Sequence, residues 1–261
     1  MLLAIDIGNT NITFGVYKQD ELKAAWRLGT AHKRMPDEYG LQFLGMLENR
    51  GFSLEQINGS VLASVVPPLT STILQAVSQY LGLQPLVLDT GVKTGVHIKY
   101  EDPKAVGADR VADAAAVQAL YQVPACVVDF GTATTFDAIS DQGDYLGGAI
   151  APGIGIAAEA LFQRTAKLTR VDLAPPAEAI GRNTVTAMQS GLIYGYVGLV
   201  EGMVARFREE LGAGMTVIAT GGLAPLMAGQ TAVIDHVDPW LTLAGLRVIW
   251  ELNQEAEKQG Q

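Results

Sequence analysis

Two short segments of this chain place a carboxylate, a glycine and a run of hydroxyl or amide side chains just where an apolar strand ends. The first is Asp6-Ile7-Gly8-Asn9-Thr10-Asn11, after Leu2-Leu3-Ala4-Ile5; the second is Asp129-Phe130-Gly131-Thr132-Ala133-Thr134, after Ala125-Cys126-Val127-Val128. Glycine adds no Cβ, so the backbone of such a turn can come close to a ligand and its amide N–H groups can converge on one anion. Phosphate suits that chemistry. Thr10, Asn11 and Thr13 can add side-chain donors, and Asp6 can hold a hydrated Mg²⁺ that bridges phosphate oxygens. One Asp-x-Gly alone reads as an ordinary hairpin turn. Two copies in matching strand contexts favour a pair of turns that clamp a polyphosphate and its cation from both sides.

Three further segments carry weaker signals. Val217-Ile218-Ala219-Thr220-Gly221-Gly222 ends a buried strand on two glycines, against which a flat ring such as adenine, or a ribose, can lie. Gly147-Gly148-Ala149-Ile150-Ala151-Pro152-Gly153 reads as a rigid loop feeding a helix, either walling a site or serving as a structural turn. Within Tyr100 to Arg110, Asp109 and Arg110 follow Gly107 at a helix start. Local spacing makes Asp109 an N-cap with Arg110 solvated. The same pair can instead accept an alcohol proton and hold an anionic group by a bidentate contact. There is no Gly-Lys-Ser or Gly-Lys-Thr, and no Gly-x-Gly-x-x-Gly after a strand, so the P-loop and Rossmann readings fall away. His32, His97 and His236 lack metal-ligand spacing.

The elements that must position these groups alternate as in an α/β protein with strands covered on both faces. Strands are expected over Leu2 to Ile5, Ile12 to Lys18, Ser60 to Val65, Leu86 to Leu88, Ala125 to Val128, Thr134 to Ile139 and Val217 to Ala219. Helices are expected over Pro36 to Asn49, Leu69 to Leu81, Asp109 to Tyr121, Ile154 to Arg164, Thr184 to Leu211 and Trp240 to Glu257, with Gly51 and Gly212 in left-handed C-terminal positions. Each Asp-x-Gly segment is followed by a second apolar run, so the chain reads as two duplicated halves, 1–117 and 118–261.

Composition bounds the function. The 261 residues are 49% hydrophobic and 17% charged, enough apolar material for a core and too much for a disordered chain. A net charge of −9 argues against a general nucleic-acid or anionic-membrane binder. No apolar run reaches the roughly 20 residues of a membrane span. The single cysteine, Cys126, reads as a buried core thiol in a reducing compartment, and the N-terminus reads as a first strand rather than a leader; a cytoplasmic protein is expected. The polar tail Gln254 to Gln261 is expected to fray.

Taken in order, Asp6 to Thr13, Gly107 to Arg110, Asp129 to Asp137, Gly147 to Gly153, Ala179 to Thr184, Ser190-Gly191 and Thr220-Gly221-Gly222 resemble the type III pantothenate kinases, members of the sugar kinase, heat-shock chaperone and actin ATPase superfamily. The resemblance covers nearly the whole chain. It implies an α/β fold of two duplicated actin-like (ribonuclease H-like) domains with a nucleotide cleft between them. It further implies transfer of the ATP γ-phosphoryl group to the primary hydroxyl of pantothenate, the first step of coenzyme A synthesis. Carried onto this chain, the ATP contacts fall on Asp6, Ile7, Gly8, Asn9, Thr10, Asn11, Ile12, Thr13 and Thr132. The general base falls on Asp109; Tyr100, Gly107, Ala108, Arg110 and Thr184 join it around pantothenate. Asp129 matches a ligand for a monovalent cation, potassium or ammonium, and Asp6 is the Mg²⁺ position. A homodimer is implied, with no nucleic-acid or membrane partner. Asp113 and Ala157 stand where the family often has Asn and Ser, and Arg34 to Tyr39 lacks a usual threonine. The rival readings are another kinase or a polyphosphate phosphatase of the same superfamily, and a non-catalytic ATP-binding regulator.

Overall fold

The computed structural model describes residues 1–164 and 168–259. In chain order the first elements are β1 (Leu2–Ile7), β2 (Asn11–Lys18), β3 (Glu21–Gly29), α1 (Pro36–Asn49), β4 (Gly59–Ser64), α2 (Pro67–Ala76), β5 (Leu86–Val87) and α3 (Ala108–Leu120). There follow β6 (Ala125–Phe130), β7 (Ala133–Ile139), β8 (Tyr145–Pro152), α4 (Ile154–Arg164), α5 (Thr184–Leu211), β9 (Thr216–Thr220), α6 (Ala224–Ala228), β10 (His236–Val237) and α7 (Leu241–Gln259).

The strands form two five-stranded sheets, ordered β3-β2-β1-β4-β5 and β8-β7-β6-β9-β10. In each, the three outer strands of the meander pair antiparallel and the last two join in parallel. The two sheets therefore share one order and one set of directions, which bears out the α/β class and the echo between the Asp-x-Gly segments.

The chain divides into two compact units. One comprises Met1–Val96, Glu101–Ala119 and the chain from Leu241 onward; the other comprises His97–Tyr100 and Leu120–Trp240. The sequence boundary at 117 and 118 left α7 with the second half, whereas the structure groups it with the first, because α7 packs on β1, β2 and β4. In that first unit Ile5, Ile7, Ile12 and Phe14 pack with Tyr39 and Phe43 of α1 and with Ile73 of α2. With α7 on the sheet as well, β1 is buried almost throughout, and its unbroken apolar run follows from that. The α7 and α3 backbones touch where Gly245 meets the Ala112 carbonyl, so no side chain fits there. In the second unit Cys126, Val128, Phe130 and Phe136 pack with Leu192, Ile193, Val200 and Val204 of α5.

Every expected strand and helix forms, but four elements were not foreseen. β3 and β10 are edge strands, and β3 alternates charged with apolar residues. α6 is a single short turn of helix. The fourth is β8: Gly147 to Pro152, expected as a loop, pairs with β7 along its length. Gly51 takes its left-handed φ of 77°. Gly212 has φ 98° with an extended ψ of 155°, so it does not take the helical left-handed position. The tail expected to fray from Gln254 is helical through Gln259; residues 260 and 261 lie outside the described ones. Among the described residues no helix is long and apolar enough to cross a membrane.

Candidate active site

The first glycine turn joins β1 to β2. The Gly8 N–H donates to the Asn11 carbonyl at 2.9 Å, and the strands pair Ile7 with Ile12 and Asp6 with Thr13. Asn9, Thr10 and Asn11 are exposed, while Asp6 and Thr13 are half-buried. Ile7 and Ile12 are core residues with no exposure, so their side chains are closed to a ligand. Thr30, which follows β3, secures the turn: its hydroxyl donates to the Gly8 carbonyl at 2.7 Å and its N–H to the Thr10 carbonyl at 2.9 Å. Nothing in the sequence singled out Thr30, since its role depends on β3 returning to the turn.

In the same unit, α3 opens at Gly107, whose carbonyl accepts from the Val111 N–H at 3.1 Å. Gly107 is thus the capping position, and Asp109 lies inside the first turn rather than at the N-cap. Its Oδ1 accepts the Arg110 N–H at 2.8 Å, and the helix dipole there favours negative charge. Gly107 abuts Val65, whose N–H donates to the Ile7 carbonyl at 3.1 Å. The half-buried run Gly107 to Arg110 is therefore brought beside the end of β1, where the first glycine turn begins.

The second unit repeats the first turn with one residue fewer. The Gly131 N–H donates to the Ala133 carbonyl at 3.1 Å, and Phe130 pairs with Thr134. Asp129 is half-buried at the end of β6, between Thr135 of β7 and Thr220 of β9. Glycines surround its carboxylate: a Cβ on Gly131 would stand 3.2 Å from Oδ2, and one on Gly221 would collide with Oδ1. Gly221 also has φ +90°, which an L side chain rarely adopts. The exposed turn at Thr132 is braced by Gly153, whose Cβ position is 2.8 Å from the Gly131 carbonyl oxygen. Gly153, from the segment read as either a site wall or a structural turn, and Gly221, from the one read as an adenine or ribose surface, both lie against the second turn.

Thr184 begins α5 after Asn183, which caps the helix by accepting the Thr186 N–H at 2.9 Å. Thr184 lines a cavity of about 1050 Å³ with Arg182, Asn183, Ala157, Leu161 and Met188. Tyr100 is 41% exposed and lies on Gly147 of β8. Asp113 is buried in α3 at 3% exposure. Cys126 is fully buried, and burial pushes its thiol pKa up, as expected of a core thiol. Among the described residues no group of three or more His, Cys, Asp or Glu could by itself hold a metal ion.

A five-stranded sheet built twice with one order, each copy ending its first hairpin in a glycine turn beside a carboxylate, defines an α/β protein with the fold of the sugar-kinase superfamily. Two solved structures share it: a conserved Campylobacter jejuni protein assigned to the Baf family of transcriptional activators, 22% identical with a TM-score of 0.62 over 97% of this chain and 99% of that one, and a Sinorhizobium meliloti protein assigned as a 2-dehydro-3-deoxygalactonokinase, 13% identical with a TM-score of 0.58 over 97% and 96%. At those identities the likeness is one of fold. The chain belongs to the type III pantothenate kinase family, whose sequence profile matches residues 2–206. The type III pantothenate kinase of Moorella thermoacetica is 54% identical over 253 residues, 97% of this chain and 100% of the relative.

Proposed function

We propose that this chain phosphorylates pantothenate at its primary hydroxyl with ATP, the first step of coenzyme A biosynthesis. The observation that carries this is the 54% identity with the Moorella thermoacetica pantothenate kinase along essentially the whole of both chains. Each half is read as an actin-like domain, one copy of an ancestral duplication.

Phosphoryl transfer asks a protein mainly for alignment and charge neutralisation. The turn within Asp6 to Thr13, with the exposed donors Asn9, Thr10 and Asn11 at its tip, suits the phosphates of ATP, and Thr132 offers the equivalent contact in the second turn. Asp109 orients the pantothenate hydroxyl and accepts its proton, and Arg110, with Gly107 and Ala108 beside it, holds the distant carboxylate; Tyr100 and Thr184 are read as the pantothenate contacts of the second unit. Asp129, whose carboxylate lies against Gly131 and Gly221, is read as the ligand of a monovalent cation, potassium or ammonium, and Asp6 at its strand end suits a Mg²⁺ with its waters. When bound, these ions offset phosphate charge.

The protein is read as a cytoplasmic homodimer that engages neither membranes nor nucleic acid; the net charge of −9 supports the last part, since it disfavours polyanionic partners. Exposed Ile156, Leu161, Ile180 and Val185 support a second copy as the partner of the α4 and α5 face.

A coupled assay for ADP release with pantothenate tests the reading, with a panel of sugars and short hydroxy acids as competing acceptors. Release with pantothenate alone is expected. Preference for another acceptor would select a different kinase of the superfamily, release without any acceptor a phosphatase, and ATP binding without turnover a regulator.

A further inference from the structure

The segment His97–Tyr100 belongs to the second unit, although Val96 before it and Glu101 after it belong to the first. Local contacts explain this. Ile98 forms a parallel bridge with Tyr145, the Tyr145 N–H donates to the His97 carbonyl at 2.9 Å, and the Lys99 N–H donates to the Tyr145 carbonyl at 2.8 Å. β8 is the edge strand of its sheet, so these residues add one short rung to an open edge. Side chains reinforce the rung. Lys99 Nζ lies 2.6 Å from Asp144 Oδ2, and His97 Nδ1 lies 3.5 Å from Asp144 Oδ1. The rung's partner is itself fixed: Tyr145 is fully buried, and its hydroxyl donates to buried Asp137 at 2.8 Å.

The rung delivers the Tyr100 ring. Two of its carbons stand 3.3 Å from where a Cβ on Gly147 would be, and Gly147 has φ +127°, so the ring rests on backbone that only glycine supplies there. The Tyr145 ring flanks it, with centroids 6.4 Å apart.

We propose that Asp144, with Lys99 and Gly147, is a positioning residue that presets the Tyr100 ring and so sets the affinity for the alcohol substrate. This rests on the reading in which Tyr100 packs on pantothenate. A side chain ordered before binding loses less freedom when the ligand arrives, so releasing the ring weakens binding without touching the phosphoryl-transfer step.

The test is steady-state kinetics on the full chain. Tyr100→Ala is expected to raise the pantothenate KM about tenfold through loss of the ring contact. Asp144→Ala and Lys99→Ala each raise it about threefold to tenfold, with kcat and the ATP KM within about twofold of wild type. In a Tyr100→Ala background Asp144→Ala adds nothing further, because both act through one ring. Asp144→Glu keeps most of the affinity, and Lys99→Asp combined with Asp144→Lys regains part of it. Gly147→Ala raises the same KM by displacing the ring. Lys99 is 46% exposed at its side chain, so its truncation reports even if Asp144→Ala folds poorly. A raised KM for Tyr100→Ala with unchanged values for Asp144→Ala and Lys99→Ala overturns the positioning role while leaving the proposed function standing. An unchanged KM for Tyr100→Ala removes Tyr100 from the substrate site and this inference with it. A wild-type chain that does not phosphorylate pantothenate overturns the function itself.

Discussion

A Cβ on Gly107 would stand 2.5 Å from Oδ1 of Asp109. The first turn of α3 therefore places the Asp109 carboxylate in space that any other residue at 107 would claim. The same carboxylate accepts the Arg110 N–H, so its orientation is set from both sides by its own helix turn. Such fixing suits a group that must receive a proton from an alcohol held in one geometry.

Gly107→Ala is expected to push the carboxylate out of place and lower kcat about tenfold or more, and to cost the helix about 1 kcal/mol, since alanine caps a helix less well than glycine. Asp109→Asn keeps the shape but cannot take the proton, and should lose about 10²- to 10⁴-fold in turnover. Calorimetry with ATP should give near-normal affinity for both variants. Turnover of Asp109→Asn close to wild type would remove Asp109 from the base role.

Asp129 supports a second expectation. If its glycine-lined surroundings hold a monovalent cation, the rate should rise when potassium replaces sodium, and Asp129→Asn should erase the difference. Gly221→Ala should fail for two reasons, the collision with Asp129 Oδ1 and the positive φ, at a cost of about 1–3 kcal/mol in stability. Thermal melts alongside rates in the two salts separate the two effects. Equal rates in sodium and potassium for the wild type would exclude activation by this route.

Much of the fold, and the turns that carry part of the candidate site, were legible because they are local. Asp6 and Asp129 end buried apolar strands and precede glycine, a pattern visible in ten residues and matched by equivalent hairpins in the structure. What escaped depends on contacts between distant segments. Thr30 reaches the first turn only because β3 folds back beside β2. The glycines at 147 and 148 hid β8, because they interrupt the apolar periodicity that marks a strand. α7 reads as an amphipathic helix wherever it packs, so its return to the first sheet had no local signal. Gly107 and Asp109 are two residues apart, yet their clash distance depends on the backbone path into α3.

The apolar face of α4 and α5 yields a third expectation. Ile156 is 49% exposed and Leu161 38%, beside a cavity whose lining is mostly apolar. Covering them with a second copy removes that surface from water at about 25 cal/mol per Å². Sedimentation velocity should give about twice the chain mass of 27.7 kDa. Ile156→Glu combined with Leu161→Glu should shift the species towards monomer. A wild-type monomer at micromolar concentration would refute the homodimer.

Cys126 should be chemically silent in the folded protein. It has no exposed surface, and its thiol is pushed well above its ordinary pKa, mainly by burial and then by the nearby Asp137 charge, with Arg208 opposing. Only the thiolate attacks disulfide reagents. A folded pKa raised for an acid means that the unfolded chain ionises first, so this thiol weakens stability as pH rises above its unfolded value near 9.0. Ellman's reagent at pH 8 should therefore leave activity intact and label one thiol per chain only after denaturant is added. The labelling rate should follow global unfolding, since β6 lies at the centre of its sheet. Rapid labelling under native conditions would mean that β6 opens locally. Cys126→Ser should cost about 1–3 kcal/mol by burying a hydroxyl that must find a partner among Val128, Phe136 and their neighbours. Cys126→Ala should cost less, because it leaves only a small void.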